Sequence, residues 1–220
     1  MYFVSSILPH LKETTDPNYV GMWLTINNKR EVINKFYRSK RELSLCIDHC
    51  NAQEAGFVVP YKERIGRVLD LLIDEEGVLI AKCILYNDDE RFSNIIQGIN
   101  FRKEKWGVSV WLDIDDNNIK DLTHVALTLD PYFKDHNSYI HEYSTNEESI
   151  DKIIIKNYYI ESKGECYISD NFKKRLEPLL ILLKSEKKEK GNIFYFLFPI
   201  FLFIFHFRYI INIFRGNSSY

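Results

Sequence analysis

The chain has 220 residues, 45% of them hydrophobic and 27% charged, and its 29 basic and 31 acidic side chains leave a formal charge of -2. This composition excludes wholesale disorder, and the near balance of charge excludes the global basic field that draws proteins to nucleic acid. The length suits one domain with a small appendage. Cys46, Cys50, Cys83 and Cys166 read as free thiols of a reducing compartment. Cys46 and Cys50 are the only close pair, and a structural zinc site needs a second. Met1–Leu8 is too short for a signal-peptide core and lacks a basic start.

Residues 1–18 read as an N-terminal extension ending in the turn signal Asp16-Pro17-Asn18. Tyr19–Ile26 then reads as a strand. Lys29–Lys40 has helical spacing at Val32, Ile33 and Phe36. Leu43, Leu45 and Ile47 alternate with Ser44, Cys46 and Asp48, the pattern of a strand that ends at His49. Ile65–Ile73 and Val78–Tyr86 form a hairpin around Asp74-Glu75-Glu76-Gly77. Asp88 is placed to cap a helix reaching about Ile99. Gly107–Ile114 and Leu122–Leu129 are two further alternating strands, and Glu147–Tyr159 suits helix or strand equally. Asn171–Lys190 predicts a helix capped by Asp170, with Leu176, Leu179, Leu180 and Leu183 on one side. Short loops and few helices make the fold α+β, mainly β, and favour an antiparallel β-barrel over a parallel sheet.

Residues 191–220 form a hydrophobic tail. Ile193–Phe214 is long enough to cross about 30 Å of hydrocarbon as a helix, although it carries Pro199, His206, Arg208 and Asn212. A membrane anchor, a buried hairpin and a segment foreign to the working protein all remain open.

Phase organises the chemistry. In Gly107–Ile114, Val108, Val110, Leu112 and Ile114 share one face, and Gly107, Ser109, Trp111 and Asp113 the other. In Leu122–Leu129, His124 lies opposite Val125, Leu127 and Leu129. Aliphatic faces turned to the core therefore send Ser109 and His124 to one side, and His49 leaves the barrel where it can reach a cleft. A hydroxyl, an imidazole within reach and a group to orient that imidazole are the parts of nucleophilic catalysis. A metal-binding module on His49, Cys46 and Cys50 is the rival reading.

The order of motifs resembles that of the herpesvirus capsid maturation protease, assemblin. Tyr19-Val20-Gly21-Met22-Trp23-Leu24 resembles its first strand. Leu43-Ser44-Leu45-Cys46-Ile47-Asp48-His49 resembles the family's Leu-Pro-Leu-Asn-Ile-Asn-His. Ile65-Gly66-Arg67-Val68 and Gly77-Val78-Leu79-Ile80 resemble the following pair of strands. Gly107-Val108-Ser109-Val110 resembles Gly-Leu-Ser-Leu, and His124-Val125-Ala126-Leu127 repeats the family's His-Val-Ala-Leu.

The resemblance implies a helix-ringed barrel over residues 19–190 that acts as a viral capsid maturation serine endopeptidase. Ser109 would be the nucleophile, His49 the general base and His124 its orienter. The substrate would be a scaffold or assembly protein and the enzyme's own precursor. No cofactor, metal or nucleic acid is implied, and the setting would be the assembling capsid in the host-cell nucleus. A homodimer through the 171–190 helix is implied too, with the leucine stripe docked on its own barrel as the rival reading. The family's arginines after His-Val-Ala-Leu are replaced here by Thr128-Leu129-Asp130-Pro131-Tyr132-Phe133, with Lys134 the nearest cation. Backbone N–H groups of Tyr132, Phe133 or Lys134 are left as oxyanion donors. In the related phage prohead proteases the third member is often an acid, which makes Asp121 or Asp130 a rival orienter. A catalytically inactive barrel that binds scaffold or is tethered to a membrane is the alternative to the enzyme.

Overall fold

The computed structural model describes residues 1–9, 25–39, 42–50, 59–88, 90–115, 118–133, 138–140, 142–160 and 166–185. Most of the expected strand at Tyr19–Ile26 and the hydrophobic run Ile193–Phe214 lie outside these residues. Among the described residues no helix is long and apolar enough to cross a membrane. Met1–Leu176 forms one compact unit and Glu177–Tyr220 a second.

The chain opens with β1 (Tyr2–Leu8), so the sheet begins within what the sequence suggested was an extension. Phe3, Ile7 and Leu8 are fully buried in the core, and β1 pairs antiparallel with both β4 (Leu79–Leu85) and β7 (Glu142–Ser144). Thr25 and Ile26 are not strand. Thr25 N-caps α1 (Ile26–Arg38), its hydroxyl oxygen accepting from the Asn28 N–H at 3.3 Å. The strands then run β2 (Ser44–Ile47), β3 (Gly66–Ile73), β4, β5 (Gly107–Asp115) and β6 (Asn118–Thr128), with β8 (Tyr167–Ile168) pairing β3. Their order is β5-β6-β2-β3-β4-β1-β7.

One seam departs from the expected antiparallel barrel: β2 runs parallel to β6, which makes the sheet mixed. The two flanks of the curled sheet meet through residues 138–140. Val108 N–H donates to the Ser138 carbonyl at 2.7 Å, and the Ser5 hydroxyl of β1 donates to the same oxygen at 3.0 Å.

Inside the curl, Phe3, Leu45, Leu71, Leu79, Cys83, Val108, Val125 and Leu127 form the core, closed by Val32 and Ile33 of α1. Lys29 is buried beside them. Its ammonium donates to the carbonyls of Pro9 (2.7 Å) and Gly77 (2.6 Å), and desolvation lowers its pKa to about 8 against the opposing pull of Asp74.

Three further helices follow: the first packs Ile95 into the core, and the other two cover the outer face of β3 and β4 around Lys82 and Asp70. α2 is Glu90–Gln97, extended by a π-helical turn over Gly98–Arg102. α3 is Glu147–Ile154, extended likewise over Ile155–Ile160, which resolves the ambiguous segment as helix. α4 spans residues 170–185. Ser169, not Asp170, caps α4 by accepting from the Phe172 N–H at 3.2 Å.

A bulge between Val68 and Asp70 sets Asp70 opposite Lys82, and both are fully buried. The Lys82 ammonium lies 2.7 Å from Glu147, 2.6 Å from Asp151 and 3.9 Å from Asp70. Asp70 also pairs with Arg175 and accepts from the Tyr37 hydroxyl at 3.1 Å. Burial pushes the Asp70 carboxyl pKa up, opposed chiefly by Arg175. Leu176 is buried in this first unit, so the lower end of the leucine stripe belongs to its own fold. In the second unit Ile181 and Leu182 are exposed.

Candidate active site

The site grows out of three neighbouring strands. In the β5–β6 register Ser109 faces Ala126 and Trp111 faces His124, which puts Ser109 and His124 on one face, diagonal to each other. On the far side of β6, β2 contributes Cys46 opposite Ala126 and Ile47 opposite Leu127. The ladder runs one bond further, from Asp48 N–H to the Leu127 carbonyl at 3.1 Å.

There β2 ends in a turn without glycine. Asp48, His49 and Cys50 have φ of 46°, 60° and 35°, three left-handed residues in succession. Each such non-glycine residue costs about 1–3 kcal/mol and persists only where its surroundings over-determine it. Here Cys50 N–H donates to the Ile47 carbonyl at 2.9 Å, and Cys50 packs with Cys46, Val59 and Ala126. The turn throws His49 back over β5 and β6.

The three predicted residues meet. His49 Nε2 lies 2.9 Å from Ser109 Oγ, and His49 Nδ1 lies 2.9 Å from His124 Nε2. If His49 Nε2 accepts the Ser109 proton, Nδ1 carries hydrogen and donates to His124 Nε2, and the proton of His124 resides on Nδ1. That Nδ1 is buried and has no hydrogen-bond partner among the described residues. His124 is wholly buried, and desolvation, reinforced by His49, lowers its pKa to about 4. Burial also lowers the pKa of His49, with Asp48 opposing. Both rings are therefore neutral near pH 7, the state in which His49 can accept a proton.

Neither rival acid takes the orienting place. Asp121 accepts from the Leu122 N–H at 2.8 Å, and Asp130 is exposed beyond the strand. His49 uses both ring nitrogens within the relay, and the described residues hold no group of three or more His, Cys, Asp or Glu placed to bind a metal ion.

Of the oxyanion candidates, Tyr132 is exposed and Phe133 buried, while Lys134 lies outside the described residues. Their segment crosses the start of β5 at Gly107, two residues before Ser109. A Cβ there would stand 2.6 Å from Pro131 Cγ and 2.9 Å from the Ser138 oxygen, so glycine permits the approach.

Trp111 is the residue that sequence reasoning left without a role. Its ring stacks on His124, with centroids 6.1 Å apart and planes 10° apart, and meets His49 edge-on at 5.8 Å. The alternation that places it on the face of Ser109 was its one sequence signal.

No family model matches the chain, and no curated protein matches it. Among solved structures, the Kaposi's sarcoma-associated herpesvirus protease in complex with a dimer disruptor is similar at a TM-score of 0.39 and 12% identity, over 84% of this chain and 90% of that one.

Proposed function

We propose that the protein is a serine endopeptidase working through an acyl-enzyme, with Ser109 as nucleophile, His49 as general base and then acid, and His124 as orienter. The observation that carries this is the unbroken relay Ser109–His49–His124, with both contacts at 2.9 Å. Ser109 Oγ attacks the scissile carbonyl as its proton passes to His49 Nε2. The tetrahedral intermediate then collapses, the C–N bond breaks and His49 gives that proton to the leaving amine. Water, deprotonated by His49, then attacks the ester carbonyl, and the bond to Ser109 Oγ breaks as His49 returns the proton to that oxygen. A neutral His124 supplies a dipole where a carboxylate would supply a charge, so activation is weak and the enzyme slow.

The strained turn supports the same reading. Three left-handed residues are an expensive way to end a strand unless the position of His49 matters. The order of motifs supports a capsid scaffold or the protein's own precursor as substrate, and the assembling capsid as its setting. The exposed Ile181 and Leu182 support a homodimer through α4. Leu182→Asp, at a site 54% exposed, would then sediment as a folded monomer.

The test of the enzyme is covalent labelling by a serine-directed phosphonate. Labelling is expected at Ser109 in the wild type and lost in Ser109→Ala, which should unfold within about 1 kcal/mol of the wild type. A folded wild-type protein that takes no label would leave the inactive scaffold-binding barrel as the better reading.

A further inference from the structure

We propose that Trp111 is a positioning residue for the His49–His124 pair: its indole, stacked on His124, fixes the plane of that ring and so aims the Nε2 lone pair that steadies the proton-bearing His49 during acyl transfer. This rests on the catalytic roles proposed above. Trp111 lies directly opposite His124 in the β5–β6 register, and the ladder shifts immediately after it, between Trp111 and Leu112. The Thr123 hydroxyl donates to the Trp111 carbonyl at 2.9 Å and holds the backbone at that shift. The indole and the His124 ring are stacked and nearly parallel, and His49 stands across both, at 68° to the indole and 71° to His124.

The chemistry explains why such a residue is useful here. A carboxylate in the third position would meet the imidazolium of His49 with a full negative charge. His124 is neutral and offers only a lone pair. Among the described residues, the groups that face His49 are Ser109 from β5, His124 from β6 and, within its own turn, Asp48 and Cys50. Asp48 is exposed, so water screens its charge. The His124 lone pair stabilises the imidazolium only while the His124 ring keeps the plane that points it at His49 Nδ1, and the stacked indole holds that plane. Stacking also covers one side of His124 and helps keep its ring dry.

The experiment compares wild type, Trp111→Phe and Trp111→Leu in two readouts. In the Ser109→Ala background, the imidazole resonances of His49 are titrated by NMR, which needs no catalysis. Loss of the ring in Trp111→Leu should move the His49 midpoint to lower pH, and Trp111→Phe should restore most of the shift. In the active protein, kcat should fall by about tenfold in the leucine variant and recover partly with phenylalanine, with KM little changed. If Trp111→Leu does not fold, Trp111→Phe against wild type carries the test, and a midpoint displaced downward is again expected. An His49 midpoint that does not move in any folded variant overturns the proposal. Because the titration is read in a protein without the serine, its failure is distinct from a failure of phosphonate labelling.

Discussion

Replacing Gly107 with alanine tests whether the segment after β6 is held against the start of β5, two residues before Ser109, for a reason. The new Cβ would sit 2.6 Å from Pro131 Cγ, 3.1 Å from Pro131 Cβ and 2.9 Å from the Ser138 oxygen. Carbon atoms pack at about 3.5–4.0 Å, so the proline ring must retreat by about 1 Å. Ser138 is less free to move, because its carbonyl accepts from Val108 N–H at 2.7 Å and from the Ser5 hydroxyl at 3.0 Å, and this joins the two flanks of the sheet. Overpacking of this kind costs about 1–3 kcal/mol, which for a chain of this size lowers Tm by about 2–12 °C. The same retreat displaces the Tyr132–Phe133 backbone, whose N–H groups are the oxyanion donors that the sequence left open. A misplacement of about 1 Å is worth about 100-fold in rate. The assay is kcat/KM on a peptide substrate together with a thermal melt. Gly107→Ala should lose far more activity than stability, and Pro131→Ala, which removes Cγ, should recover part of it. A Gly107→Ala protein with kcat/KM within twofold of wild type would refute the idea that this segment takes part in the reaction.

Three further outcomes are expected. His49→Ala should cost more rate than His124→Ala, since the proton carrier acts in every step and the orienter only holds it; single-turnover acylation kinetics would show this, and equal, negligible losses would remove both residues from the mechanism. Stability should fall in acid because of His124. Its folded pKa, about 4, lies below the ordinary 6.5, so the unfolded chain binds the proton first. Its contribution is complete above pH 6.5, declines between there and about 4 and is flat below, amounting to at most about 3 kcal/mol. Urea unfolding of wild type and His124→Phe at pH 7.5, 5.5 and 4.5 checks it, since the variant should lack this slope. Lys82→Met removes the cation shared by Glu147 and Asp151 at 2.7 and 2.6 Å and leaves carboxylates crowded over a buried surface. A loss of about 3–5 kcal/mol is expected by denaturant unfolding, and a loss below 1 would mean that solvent already compensates the cluster.

The strands that alternate cleanly were legible in the sequence, because period-two patterning is a local property. Gly107–Asp115 and the β3–β4 hairpin are examples, and the shared face of Ser109 and His124 follows from the same alternation. β1 was hidden because Ser5 and Ser6 interrupt its apolar pattern, although Ser5 is buried and bonded to Ser138. The parallel seam between β2 and β6 was out of reach, since nothing local records which distant strand a segment will pair with. The turn at Asp48-His49-Cys50 was equally silent. Left-handed backbone is normally announced by glycine or asparagine, and here tertiary packing imposes it on three other residues. Nothing local sets Asp70 and Lys82 apart from other strand charges, and it is the bulge after Val68 and the covering helices that bury them.

The parallel seam has a consequence for when the site comes into being. Adjacent parallel strands cannot be joined by a tight turn, and the two histidines are 75 positions apart, with the serine 60 from the first. Every link of the relay is thus a long-range contact, closed only after the intervening hairpin, α2 and β5 have found their places. Loop closure of that length is paid late in folding. The relay is therefore a marker of completed folding: a nascent or half-folded chain contains all three side chains and no assembled site. Activity should return on refolding together with the last tertiary signal, and fragments ending before β6 should have none however well their own strands form.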